Sequence, residues 1–160
     1  MWKPGEDNQE KKNKMNNKYP KEIFKFERGA FSSGMLIYTI TEEEDCLSFN
    51  SRCCNEFVFM PEYSFKMPKD ALEELIGAVS PVNEWMDTYR NPNILDGYGY
   101  TIKLDYGGIK LSKRGYAAYP FHSEKKYHEA VRKIQQEIEN LCEKYAENYS
   151  PEGIEDRLGL

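Results

Sequence analysis

Four short apolar runs near the start of the chain repeat every second residue. Over residues 22–28, Phe24 and Phe26 alternate with Lys25 and Glu27, the spacing of a strand with one buried face. Gly29 and the small residues Ser32, Ser33 and Gly34 turn the chain into residues 35–40, apolar on both faces and therefore read as more central. An acidic hairpin loop, 41–45, leads to a third run at 46–51 with Leu47 and Phe49 on one face. Residues 56–60 form a fourth, stopped by Pro61, which cannot donate to a ladder. Short strands with tight polar connections predict an antiparallel meander.

At Pro68 the period changes. Leu72, Leu75, Ile76 and Val79 fall at helical spacing, with Pro68 and Asp70 suited to a first turn. Ser80 and Pro81 read as the cap and first residue of a second short helix carrying Trp85, Met86 and Tyr89. Two turns, Asn91-Pro92-Asn93 and Asp96-Gly97, bracket Ile94 and Leu95. Residues 98–106 then alternate Tyr98, Tyr100, Ile102, Leu104 and Tyr106 against Gly99, Thr101, Lys103 and Asp105. This is the clearest strand in the chain. Gly107-Gly108 makes a two-residue hairpin turn into a partner strand at 109–114. Ser123 caps a long last helix running to about Asn148. Its seam of Tyr127, Val131, Ile134, Ile138, Leu141 and Tyr145 packs on the domain's own sheet rather than forming a coiled coil. The expected fold class is α+β: an antiparallel β-meander plus a C-terminal β-hairpin, packed against two short helices and one long C-terminal helix.

Composition adds boundaries. Residues 1–20 hold four Asn and five Lys with almost nothing to bury, and are expected to form a disordered tail. The single domain spans 21–150, and 151–160 are expected to fray. The tail's Lys3, Lys11, Lys12, Lys14 and Lys18 against Glu6, Asp7 and Glu10 give +2, so the chain's −5 leaves −7 on the rest. An acidic domain disfavours nucleic acid unless a local basic patch exists, and Lys110, Lys113 and Arg114 are the one cluster on an expected strand. No run is long and apolar enough to span a membrane, and no export signal is evident, which points to the cytoplasm; export is excluded only if 1–20 is the native start. Cys46, Cys53, Cys54 and Cys142 lack zinc spacing and read as reduced structural cysteines.

The segment 85–120 carries the chain's most specific pattern: Trp85, Tyr89, Pro92, Ile94, Leu95, Asp96, Gly97, Tyr100, Gly108, Gly115, Tyr119 and Pro120. It resembles the signature W…Y…P-x-[VI]-L-D-G-x-x-[WY]…G…YP of a family of small uncharacterised bacterial proteins with no assigned activity. Two positions depart from that signature: Tyr100 stands where Trp is expected, and Ala117 where Asn is commoner. The resemblance implies a bacterial α+β domain and assigns no functional residue.

Catalytic chemistry leaves little trace. Asp96 before Gly97 has a turn-forming role, and His122 and His128, six residues apart, do not share a helix face. No nucleophile elbow or phosphate loop appears, and no metal or cofactor is implied. The candidate binding residues are Tyr98, Tyr100, Tyr106, Tyr116, Tyr119, Asp96 and Arg114, because tyrosine suits surfaces that are partly apolar and partly wet. The same tyrosines also suit the roof of a core. The function expected is a small acidic non-enzymatic module that binds another protein, as an inhibitor, immunity-type protein or accessory subunit, and acts as a monomer or weak homodimer. The alternative is a small-molecule-binding or weakly hydrolytic groove between sheet and helices, using Asp96, Tyr100, Arg114 or His122.

Overall fold

The alternating runs become strands in the computed structural model, which describes residues 18–30, 34–53, 62–93, 98–120 and 123–149. These strands are β1 (Lys21–Ala30), β2 (Gly34–Glu42), β3 (Leu47–Cys53), β4 (Ser64–Met67), β5 (Thr88–Arg90), β6 (Gly99–Tyr106) and β7 (Ile109–Tyr116). The helices are α1 (Glu73–Val79), continued by a 3-10 turn at Ser80–Glu84, and α2 (Glu124–Tyr145). The fold is α+β. Seven strands among the described residues form one sheet in the order β4-β3-β2-β1-β6-β7-β5. Every pairing is antiparallel except β5 with β7. Because β1 pairs with both β2 and β6, the meander and the C-terminal hairpin are halves of one sheet.

One face of the sheet is the core. Phe24 and Phe26 on β1, Ile40 on β2, Phe49 on β3 and Ile102 and Leu104 on β6 are all buried there. Burial of each such side chain contributes about 1.5–3 kcal/mol. Leu72, Leu75 and Val79 of α1 and the seam of α2 complete the same cluster. The α2 seam is buried from Tyr127 to Leu141, so its apolar stripe is satisfied within the chain. Ser123 caps α2 as expected, its side chain accepting from Lys126 N–H at 3.3 Å. Gly107 and Gly108 have φ of 62° and 79°, the two positive angles a primed hairpin turn demands.

Several local expectations shift. The strand expected at 56–60 lies outside the described residues, and the partner of β3 is β4, further along the chain. Helix α1 starts at Glu73, a turn later than Pro68 suggests, with Glu73 and Glu74 at its positive end. Ser80 is not the N-cap of the second helix but the C-cap of α1, where its backbone N–H and, at 2.7 Å, its hydroxyl donate back to the Ile76 carbonyl. The second short helix is the five-residue 3-10 turn, and it ends before Tyr89, which lies on β5. The tight turn and Trp85's burial leave Met86 60% exposed.

Candidate functional site

The expected tyrosines part company across the sheet. Tyr100 is 4% exposed on the core face, its ring filling the space left by the absent side chain of Gly115. It lies 5.0 Å from the Tyr127 ring and 5.8 Å, edge on, from Trp85. Tyr98, just before β6, and Tyr119, just after β7, also pack on Tyr127, at 5.8 and 5.3 Å. The fully buried Tyr127 donates its hydroxyl to Tyr98 Oη at 2.8 Å. Burial pushes the Tyr100 and Tyr127 phenols up from their ordinary value, helped by neighbouring tyrosines. Tyr106 is separate, donating to the Lys69 carbonyl at 2.8 Å. These rings tie loop, hairpin and α2 together as core. Tyr127, the hub, was read from the sequence only as a seam residue.

Tyr116 and Arg114 stand on the opposite face. Asp96 and His122 lie outside the described residues. Tyr100 and Arg114 belong to adjacent strands with their side chains on opposite faces, although both residues line one hollow of the sheet.

The face away from α1 and α2 is the second surface of interest, and the register lays it out in rows. Met35, Gly29, Gly99, Tyr116 and Arg90 form one row; Arg52, Ile37, Glu27, Thr101, Arg114 and Thr88 form the next. The third holds Ser64, Asn50, Thr39, Lys25, Lys103 and Ser112, and the fourth Lys66, Ser48, Thr41, Asp105 and Lys110. Glu22, opposite Thr41, precedes the bulge that shifts β1. Strand positions on this face therefore carry seven basic side chains against three acidic ones. The whole chain, by contrast, has 22 Lys and Arg against 27 Asp and Glu. Lys25 pairs with Glu27 at 3.3 Å and Lys66 with Glu43 at 2.8 Å. Arg52, Arg90, Lys103, Lys110 and Arg114 have no ion pair among the described residues. The sequence cluster Lys110, Lys113 and Arg114 is divided. Lys113 turns to the core side, where its buried ammonium donates to the Trp85 carbonyl at 2.6 Å and to Asp87 Oδ1 at 2.9 Å.

Two hollows of about 430–440 Å³ each include residues of this face. One lies at the β1, β6 and β7 strands and is lined from both sides of the sheet, by Lys103, Asp105 and Lys110 of this face and by Asn83, Asp87 and Lys113 of the helix side. The other opens above Gly99, between Met35 and Tyr116, with Arg90, Arg114, Thr88 and Thr101 at its rim. Gly99 lacks the side chain that would fill it; a Cβ there would sit 3.3 Å from the Gly115 carbonyl oxygen. Of the residues around the hollow above Gly99, the sequence alone singled out Arg114, Tyr116 and Tyr100. It did not single out Arg90 or Met35.

One constellation resembles a nucleophile site and is not built as one. Cys46 Sγ–H and Ser48 Oγ–H both donate to Glu43 Oε2 at 3.2 Å, and Lys66 donates to the same oxygen at 2.8 Å. The Lys66 contact, then those from Cys46 and Ser48, holds the Glu43 carboxyl below its usual value, so it is a poor base. The bond to Glu43 and burial push the Cys46 thiol up, away from the thiolate that attacks. His128 contacts Glu124 and the Tyr119 and Tyr127 rings, all at one end of α2. Among the described residues no group of three or more His, Cys, Asp and Glu side chains could hold a metal ion, and no helix is long and apolar enough to cross a membrane. No protein-family model, curated protein or solved structure matches this chain.

Proposed function

We propose that this protein is a non-enzymatic interaction module that binds an acidic partner protein through the face of its sheet that no described helix covers. The observation that carries the reading is the division of charge. An acidic chain places seven basic side chains against three acidic ones on the one sheet face that no described helix packs against, and five of the seven are without an ion pair among the described residues. Such a field draws in acidic surfaces and repels partners of like charge. Tyr116 brings a tyrosine ring to this face, whereas Tyr98, Tyr100 and Tyr119 pack on Tyr127. The small, inhibitor-like or accessory character suggested by the sequence is retained, with the contact surface moved from the tyrosine face to the basic one.

A photo-crosslinking amino acid at Thr39 or Thr101 in the source cells tests the reading, with Glu129 on α2 as the comparison site. The expected result is a covalent adduct with one acidic protein from Thr39 and Thr101, resistant to nuclease and weakened by Arg52→Glu with Arg114→Glu. Adducts formed only from Glu129, or adducts removed by nuclease, would overturn it.

A further inference from the structure

The hollow above Gly99 has a more specific chemistry than the face around it. Its ten lining residues include Arg90 and Arg114 and no Asp or Glu, although carboxylates outnumber cations in the chain by 27 to 22. The β5–β7 register pairs Thr88 with Arg114 and Arg90 with Tyr116, so the two arginines are diagonal neighbours on one face. With strands about 4.8 Å apart and about 6.6 Å of rise over two residues, such neighbours stand roughly 8 Å apart, within reach of one anion held between them. Both are exposed, and neither has an ion pair among the described residues. Thr101 and Thr88 flank Arg114 in its row and add hydroxyl donors. The walls are different in kind: Met35 on one side and the Tyr116 ring on the other, over a floor that Gly99 keeps low.

We propose that this hollow binds a phosphomonoester carrying a flat ring, with Arg90 and Arg114 on the phosphate and Tyr116 and Met35 against the ring. A carboxylate is satisfied by one guanidinium fork and would leave the second arginine unmatched. A phosphate dianion has the charge and the three free oxygens to engage both arginines and a threonine hydroxyl. The inference rests on reading the face that no described helix covers as the binding surface, and it names the chemistry of one anchor within it.

Backbone amide NMR of the full chain, titrated with phenyl phosphate, tests it. Saturable shifts are expected at Thr88, Arg90, Gly99, Thr101, Arg114 and Tyr116, half-complete by about 1 mM, with inorganic phosphate and benzoate each at least about tenfold weaker. Arg90→Ala and Arg114→Ala should each weaken phenyl phosphate about tenfold or more, the loss expected for a bond to a charged group. Arg114→Lys should restore only part of this, because it keeps the charge and loses the fork. Lys125→Ala, an exposed cation lost from α2, should bind as the native chain does. The dispersion of each variant's own spectrum establishes that it is folded. A phosphotyrosyl tripeptide binding more tightly than phenyl phosphate would mark the group as a partner's side chain; weaker binding would mark a free small molecule. Shifts spread equally over Lys25, Lys103 and Lys110, or binding that survives in the double Arg90→Ala, Arg114→Ala variant, would overturn the site. Crosslinking to an acidic protein with no phenyl phosphate binding would remove this inference and leave the interaction module standing.

Discussion

Tyr100 and Tyr127 touch each other, yet their hydroxyls are treated differently. The Tyr127 hydroxyl donates to Tyr98, whereas the buried Tyr100 hydroxyl has no hydrogen-bond partner among the described residues. Leaving a buried hydroxyl unmatched costs about 1–3 kcal/mol, so its removal relieves a penalty instead of breaking a bond. Tyr100→Phe is therefore expected to be neutral or stabilising in urea melts. Tyr127→Phe should lose about 1 kcal/mol and Tyr100→Ala about 3–5 kcal/mol. A large loss from Tyr100→Phe would reveal a partner for that hydroxyl. Ala117 offers a second residue-scale test. Its φ of 53° lies in the left-handed region, while its amide N–H donates to the Tyr98 carbonyl at 2.8 Å. An L side chain there costs roughly 1–2 kcal/mol, less for Asn, whose side chain bonds locally to the backbone. The position at which Asn was expected from the sequence thus has a backbone reason to prefer it. Ala117→Asn should raise the midpoint of thermal unfolding, and a lowered midpoint would show that the turn relaxes away from positive φ.

Element by element, the long strongly periodic segments were legible and the short ones were not. The run 98–106 became β6 because five alternating large side chains leave one solution on a half-buried sheet. Thr88–Arg90 has only three residues and so no period to read. It is a strand because β7 holds it, through Arg114 N–H to the Asp87 carbonyl at 2.8 Å and Asn91 N–H to the Tyr116 carbonyl at 2.9 Å. The site suffered for the same reason. Arg90 reaches the hollow only through β5, and Met35 through the pairing of Gly29 with Gly99, contacts between segments far apart in sequence. Lys113 shows the converse: a charge expected on the surface is a clamp from β7 to the chain entering β5. Lys113→Met keeps the stem but abandons the Trp85 carbonyl, and should cost about 1.5–3 kcal/mol, the worth of a bond to a charged group. Asp87→Asn should change little, because the Asp87 side chain is 86% exposed and such pairs are screened. Equal losses from both, measured by denaturant melts, would mean that the ion pair rather than the carbonyl contact anchors β5.

On the scale of the whole molecule, the sheet divides two kinds of surface: a phenol-rich core under α2 and a basic face opposite. The core side has a pH signature. Burial first, then neighbouring tyrosines, raise the Tyr100 and Tyr127 pKa values above the ordinary 10.0, so both phenols stay protonated in the fold. The unfolded chain releases those protons as pH rises past about 10. With the folded value raised, the stability tied to each phenol is fully present below pH 10 and is lost as pH climbs above it, by up to about 1.4 kcal/mol per pH unit per group. Urea melts at pH 8, 9, 10 and 11 should show little change to pH 9 and a steep fall beyond. Other groups titrate in this range, so the informative quantity is the difference between the native chain and Tyr127→Phe. That variant starts less stable but has one phenol fewer to deprotonate on unfolding. The gap between the two should close as pH rises from 9 to 11. A gap that stays constant across that range would mean that Tyr127 ionises as readily in the fold as out of it, and that the ring cluster under α2 is open to water.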